Sequence, residues 1–427
     1  MTVTGMPPTA RSTGWFPVAR ATEVGTTPLP VGAGGRSWVV VRLRPGGEVS
    51  AFPARCPHRL VPLAAATVVD GRLRCPYHGW RFDAEGRCVD LPSLGPQGTA
   101  PPRADLPVPW AVEERHGWVW LAPERTAVVA PPAPVGEPRP EPVPAPAPPS
   151  GPVFGNLHPS LEHAWHPVAL ARELRPGGWL QVRLLGRTWS LSRTPDGLSA
   201  DPPAWGVRER FGLVWLAPAE PRDVPLELPE HGDRGFVSRW LTPSRSAGAA
   251  GPLADTLLDV AHLPFVHGRW GGTGVPVPEV TSEPGGFSAV SEHRRDGPAG
   301  SAAHRVATWT HRAPFQLRLR LESPASGAVS TRLVVLQPED ADSTRVYTCL
   351  LLSAGPGQPL PAPDAVAAEA AAAEQELAED LALQARVAAV GLPLGPRDEL
   401  HVRADRPGVA LRRALSDFAR GGEDQVT

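Results

Sequence analysis

Cysteine is scarce in this sequence, four residues in 427, too few for a disulfide framework in a chain of this length. A reduced, cytoplasmic setting is the expectation that follows. Long apolar runs are missing too. No stretch approaches the about eighteen uninterrupted apolar residues of a membrane span, and the opening MTVTGMPPTARSTG has no hydrophobic segment of the secretory kind. Neither sign of charge is in excess, with 42 basic residues against 44 acidic, which argues against nucleic acid or a membrane surface as partner. No G-x-G-x-x-G follows a strand-like run, so no dinucleotide site is expected on the chain itself.

Proline and glycine, by contrast, are abundant (55 and 43) and divide the text. Residues 14–125 hold short apolar runs such as WVVVRL and GWVWLA between turn residues, the pattern of a small antiparallel β domain, here taken as 1–130. The stretch PPAPVGEPRPEPVPAPAPPS at 131–150 is half proline. It is expected to be a semi-rigid polyproline II spacer, able to reach roughly 60 Å when extended.

Beyond it the text repeats. GWFPVARATEV from Gly14 returns as AWHPVALAREL from Ala164, RSWVVVR from Arg36 as RTWSLSR from Arg187, and GGEVSA from Gly46 as PDGLSA from Pro195. WAVEERHGWVWLAP from Trp110 returns as WGVRERFGLVWLAP from Trp205. The offset is about 150 for the first three and 95 for the last, so the second copy lacks some 55 residues between the counterparts of Ala51 and Asp105. Residues 151–230 are therefore expected to be a second β domain with the same frame.

From 231 to 420 the pattern changes. ADTLLDVAHLPFVHG (254–268) reads as a helix that unwinds near Pro264; strand-like runs follow at HRVATWTHR, FQLRLRLES, TRLVVLQP and RVYTCLLLS. An Ala/Glu/Leu-rich helix is expected over 364–390. Helix packed on antiparallel sheet makes the whole chain α+β.

The residues absent from the second copy include Cys56-Pro57-His58 and, after sixteen intervening residues, Cys75-Pro76-Tyr77-His78-Gly79-Trp80. Two thiolates and two imidazoles suit tetrahedral zinc. They equally suit a [2Fe–2S] centre whose second iron takes two His, which raises its reduction potential. Proline and glycine shape each pair into a tight loop. CPHRLVPL and CPYHGWRFDAEG closely resemble the two cluster loops of Rieske proteins, with Cys56, His58, Cys75 and His78 as ligands. Cys88 and Cys349 have no His at such spacing and are expected to be structural.

A second motif, Asp259-x2-His262-x4-His267, can present two His and a carboxylate to Fe(II) with positions left open. Downstream of a Rieske-like motif, it resembles the Rieske non-haem iron oxygenases, especially the vanillate-demethylase-like group. The resemblance implies a helix-grip, START-like C-terminal domain, His262 and His267 as ligands of mononuclear Fe(II), and Asp259 as the acid joining the two centres. It also implies an acid ligand on the C-terminal helix. AEQELAEDLALQ offers Glu376, Glu379 and Asp380; Leu377 and Leu383 flank Asp380 one turn away, so it is the one expected to face inward, whereas Glu379 neighbours Gln375 and Glu376. Thr256 stands where relatives often carry Asn. Trp309, His311 and Phe315 can line a cavity or pack a core.

The function implied is the oxygenase component of a monooxygenase. It would use O2 and electrons from a separate NAD(P)H-dependent reductase, directly or through a ferredoxin, on a small organic substrate; a homotrimer is also implied. The alternative is an electron carrier or redox sensor with an inactive C-terminal domain.

Overall fold

The computed structural model of the protein describes residues 14–95, 98–147, 149, 151–267, 275–296, 302–387, 391–395 and 399–421. They fall into two compact units, Met1–Pro148 and Pro149–Thr427. Among the described residues no helix is long and apolar enough to cross a membrane.

The first unit is all β. Phe16–Arg20, Trp118–Ala122 and Ala111–Arg115 form one antiparallel sheet, and Leu29–Ala33, Arg36–Arg42 and Val49–Pro53 another. Their hairpins turn at Gly34-Gly35 and His116-Gly117, with positive φ at both central residues, the two-residue geometry that suits strand twist. Val18, Val31, Trp38, Val40, Val119 and Leu121 fill the space between the sheets. Between Pro53 and Ala111 the chain builds a separate four-stranded sheet from Thr67–Val69, Arg72–Arg74, Arg81–Phe82 and Cys88–Asp90.

The proline-rich stretch is not the detached, semi-rigid spacer its composition suggests. Up to Pro144 it lies along the first unit: Ser37 Oγ donates to the Pro144 carbonyl (2.8 Å), Gly35 N–H to Glu141 (3.2 Å), and Arg20 pairs with Glu137. Polyproline backbone makes no internal hydrogen bonds, so its carbonyls are open to such donors. Gly32 lets it approach, because a Cβ there would run into the Pro142 carbonyl.

In the second unit the repeated text folds into the same frame. His166–Leu170, Leu213–Ala217 and Gly206–Arg210 form one sheet, and Trp179–Leu184, Arg187–Thr194 and Gly197–Asp201 the other. A bulge falls between Pro167 and Ala169 as it does between Pro17 and Ala19. The cores correspond position by position, Val18 to Val168, Val31 to Val182, Trp38 to Trp189, Val40 to Leu191, Val119 to Val214 and Leu121 to Leu216.

These residues do not stand apart as a body of their own. The other face of the frame (Trp165, Leu170, Leu213, Trp215) packs on Leu333, Val335, Tyr347, Cys349 and Leu351 of the large sheet. That sheet runs in the order Val237–Trp240, Ser343–Ser353, Val329–Asp340, Gln316–Glu322, Ala302–Arg312, Gly286–Asp296, Glu279–Glu283, with Ser244–Ala247 also on Ser343–Ser353. All pairings are antiparallel.

Helices cover its inner face: α1 (Ala250–Leu257), α2 (Leu263–Val266), α3 (Pro363–Val387) and α4 (Arg406–Arg420). Ala370 and Ala373 of α3 rest on Leu241 and Leu350. The single helix expected over 254–268, of which residue 268 lies outside the described residues, is instead two, with the break falling at 258–262, ahead of Pro264. Asp259 Oδ1 takes the Ala261 N–H (2.7 Å), a local bond that competes with helical continuation, and Pro264 then sits in the first turn of α2, where its missing N–H costs nothing.

Trp215 bridges frame and sheet and is buried. Trp215→Ala should destabilise the second unit by about 3–5 kcal/mol. Chemical unfolding followed by fluorescence should show the transition of the second unit shifting, while the visible absorption of the first unit is lost at an unchanged midpoint.

Candidate metal centres

The two Cys/His loops of the first unit share one backbone design. Cys56 N–H donates to Val61 O (3.0 Å) and Leu60 N–H returns to Cys56 O (3.1 Å); Cys75 N–H donates to Trp80 O (2.9 Å) and Gly79 N–H to Cys75 O (3.1 Å). The fourth residue after each Cys has positive φ, 54° at Leu60 and 69° at Gly79. Each loop thus closes within six residues and turns its Cys and His to the same interior.

All four side chains are buried, none more than 3% exposed. Like lies beside like. The two imidazoles have centroids 4.2 Å apart, and His58 stacks on Trp80 at 4.6 Å. Cys75 is held below the usual thiol range by a hydrogen bond from Cys56 and by the backbone N–H groups of Tyr77 and His78. Cys56 is pushed up, by burial first and by its bond to Cys75. A thiol pair and an imidazole pair side by side fit a cluster with two Cys on one iron and two His on the other, and N–H bonds to sulfur are a lever on its potential. Cys88 and Cys349 are both buried with thiols pushed up to about 12 by burial. At neutral pH they stay protonated and inert.

In the second unit the break between α1 and α2 brings His262 and His267 to face α3. His262 Nε2 and His267 Nε2 are 3.1 Å apart, and Asp380 Oδ1 lies 3.3 and 3.2 Å from them. All three residues are buried, and among the described residues they form the one set of three or more such donors converging within 4.8 Å. Three ligands at right angles on a metal with bonds of about 2.1 Å would be roughly 3 Å apart. The triangle fits.

The histidine tautomer fits as well. His267 Nδ1 donates to Glu379 Oε2 at 2.7 Å, which leaves Nε2 as the lone-pair nitrogen. Burial opposes charge on His267 and Asp380, yet their mutual contacts outweigh it, holding His267 above its ordinary range and Asp380 below.

Glu376 is engaged elsewhere, paired with Arg332 of the sheet. Asp259 is buried and lines the same cavity as the histidines. This cavity measures about 80 Å3, and its apolar wall includes Leu257, Leu263, Trp309, Leu319, Val334 and Leu377. Trp309 is on its wall. His311 and Phe315 are not; His311 is buried beside Phe287 with Nε2 donating to the Pro314 carbonyl (3.1 Å), and Phe315 packs in the core. Thr256 is buried one turn before and takes a hydrogen bond from Gln384 of α3. The role of Glu379 was not legible in the chain. Its neighbours Gln375 and Glu376 suggest a wet face, and its juxtaposition with Asp380 was the available signal.

Residues 14–107 match the Rieske [2Fe-2S] domain, and residues 249–420 match the vanillate O-demethylase oxygenase C-terminal domain. The 3-chlorobenzoate-3,4-dioxygenase oxygenase subunit of Comamonas testosteroni is 39% identical over 109 residues, 25% of this chain and 25% of that protein. Methylxanthine N1-demethylase NdmA of Pseudomonas putida is 36% identical over 113 residues, 25% of this chain and 31% of that protein. The oxygenase component of dicamba O-demethylase of Stenotrophomonas maltophilia is 36% identical over 122 residues, 27% of this chain and 33% of that protein. The chain thus spans a quarter to a third of the length of these relatives. The first of the two matches carries a [2Fe–2S] cluster in its description.

Removing the Glu379 carboxylate frees the His267 tautomer. Glu379→Ala should weaken Fe(II) binding in the second unit by about 10- to 100-fold, read by competition with a chromogenic chelator, and Glu379→Asp should recover part of the loss.

Proposed function

We propose that this chain, which belongs to the Rieske non-haem iron oxygenases, is the oxygenase component of a multicomponent monooxygenase. It hydroxylates or oxidatively demethylates a small organic substrate, using O2 and electrons from a separate NAD(P)H-dependent reductase, directly or through a ferredoxin. The observation that carries this reading is the buried triangle of His262, His267 and Asp380 on the wall of an apolar cavity.

In this reading Cys56, His58, Cys75 and His78 hold the cluster, and His262, His267 and Asp380 hold the iron. When bound, the cluster supplies electrons singly and the iron supplies open positions for O2 reduction. The side chains of the protein do the positioning. Glu379 keeps the proton on His267 Nδ1 and so aims Nε2 inward. Asp259 is the carboxylate that accepts an imidazole N–H and joins the two centres, within one chain or between copies. Leu257, Leu263, Leu319, Val334 and Leu377 keep bulk water from the reacting atoms.

Monooxygenation is favoured over ring dihydroxylation by the C-terminal match to the vanillate O-demethylase type. We read residues 151–230 as a copy of the first frame that lost its ligand-bearing insert and serves the fold. A cytoplasmic homotrimer completes the proposal. The rival, an electron carrier with an inactive C-terminal domain, gives no reason for three buried donors to converge.

Anaerobically purified protein should contain about three irons and two acid-labile sulfides per chain. His262→Ala should lose one iron, keep the visible spectrum of the cluster and abolish substrate-dependent O2 uptake. Two irons per two sulfides, unchanged by added Fe(II), would identify the carrier.

A further inference from the structure

The cavity beside the His262–His267–Asp380 triangle, about 80 Å3, is far below the roughly 300 Å3 at which ligand pockets begin. A substrate of the proposed kind needs more room than this and a way in. A second cavity, of about 190 Å3, lies along the same crevice. Ala365 and Glu369 of α3 line this outer cavity, and Ala373, Glu376 and Asp380 line the inner one. Each of these residues follows the last by three or four positions, so they form one stripe of the helix, about 22 Å long. The opposite wall is equally continuous. Ser330 lines the outer cavity and Arg332 and Val334 the inner one, and alternate residues of a strand share a face.

Arg332 stands at the join. Its guanidinium pairs with Glu376 of the inner cavity and, at 3.4 Å, with Glu369 of the outer one. These contacts close the crevice from strand to helix, and they are not a tight clasp. The Glu369 contact is longer than the about 2.9 Å of a charge-assisted hydrogen bond, and Arg332 Nε is buried with no partner among the described residues. Glu369 is also the wetter acid, with its side chain 27% exposed against 9% for Glu376. An arginine head on its flexible stem turns readily toward water. Turned toward Glu369, it clears the crevice and keeps a carboxylate partner.

Resting on the oxygenase reading, we propose that the outer cavity is the vestibule of the substrate site and that Arg332 is the gating residue between vestibule and iron. The substrate enters between α3 and Val329–Asp340, and Arg332 swings toward Glu369 to admit it. With the gate open the two spaces become one narrow site. Its length runs along α3, which favours an elongated molecule with the reacting end innermost. The gate also keeps water from the inner cavity while no substrate is bound.

A thiol on the inner cavity tests this without a substrate or turnover. In full-length protein carrying cluster and Fe(II), the rate at which Val334→Cys is labelled by benzyl methanethiosulfonate, read by mass spectrometry, reports entry. The unsubstituted chain, whose four cysteines are all buried, supplies the background. Ala365 is exposed at the rim of the outer cavity. Adding Ala365→Trp should slow labelling at least about tenfold, because the rate follows the population of the open route. Adding Arg332→Lys, which keeps the charge but loses the fork that holds two acids, should speed it at least about fivefold. An unchanged rate with Ala365→Trp puts the entrance elsewhere and overturns the proposal. An unchanged rate with Arg332→Lys, or a Val334→Cys thiol that never labels, overturns it too. Ala365→Trp is a surface change and decides even where Arg332→Lys fails to fold. Iron assayed in the same samples separates the two readings. Labelling indifferent to both changes with the second iron in place sinks this proposal only, and a missing second iron sinks the oxygenase reading.

Discussion

The register of α3 on the large sheet is the constraint on which both the His262–His267–Asp380 triangle and the cavity depend. The buried positions of this helix include Ala370, Ala373, Glu376, Asp380 and Gln384, with Val366, Leu377 and Leu383 as the larger apolar ones. Alanine against a sheet discriminates poorly between registers. The polar contacts do it instead: Arg332 takes Glu376 and Glu369, Gln384 reaches Thr256 on α1, and Asp380 meets both histidines. α1 is itself pinned, because Arg412 of α4 binds Asp255 (3.0 and 3.1 Å) and Glu399 (2.6 Å). Buried ion pairs add little net stability, but shifting one partner leaves an uncompensated charge. A one-turn slip of α3 would strand Arg332 and withdraw Asp380 together.

Much of this was legible in the chain, for local reasons. Cys and His at short spacing, fixed by proline and glycine, announce a metal loop whatever surrounds them. Asp380 was legible because its neighbours a turn away, Leu377 and Leu383, place it on the buried side, and the helix follows that periodicity. Glu379 was not, because it works sideways from the edge of that face, across to a ring nitrogen on a loop 112 residues away. No pattern within the helix encodes such a reach. The early break between α1 and α2 was hidden for a related reason. A carboxylate already assigned to chemistry, Asp259, also takes a backbone N–H, and residue type alone does not say so.

The burial of the large sheet on both faces had a signal. LVVLQP and YTCLLLS are nearly continuous in apolar residues, whereas a strand with one wet face alternates. Runs of that kind require a cover on each side. Helices supply one, and the second frame supplies the other, through Leu333, Val335, Tyr347, Cys349 and Leu351.

How the second frame stands without Cys and His follows from how the first one is built. The core of the first frame draws on strands 16–53 and 111–122 alone; none of its members comes from the ligand-bearing insert. Chemistry and packing are therefore separable, and the second frame has a matching core around Trp189 without any such insert. What each frame cannot do without is a cover for its aromatic second face. In the first that face is Trp15, Trp118, Trp120 and Ala122; the corresponding positions in the second are Trp165, Leu213, Trp215 and Ala217, all against the large sheet. The first keeps Arg20 at the edge of this face, over the Trp118 ring and paired with Glu137, while Trp15 Nε1 donates to the Val128 carbonyl (2.8 Å). The second has Leu170 in the place of Arg20, buried in the contact. One substitution thus marks the two covers. An arginine suits a face with an acidic strap residue at its edge, and a leucine suits a face closed by another sheet. The strap, held at Gly35, Ser37 and Arg20, is part of the first fold.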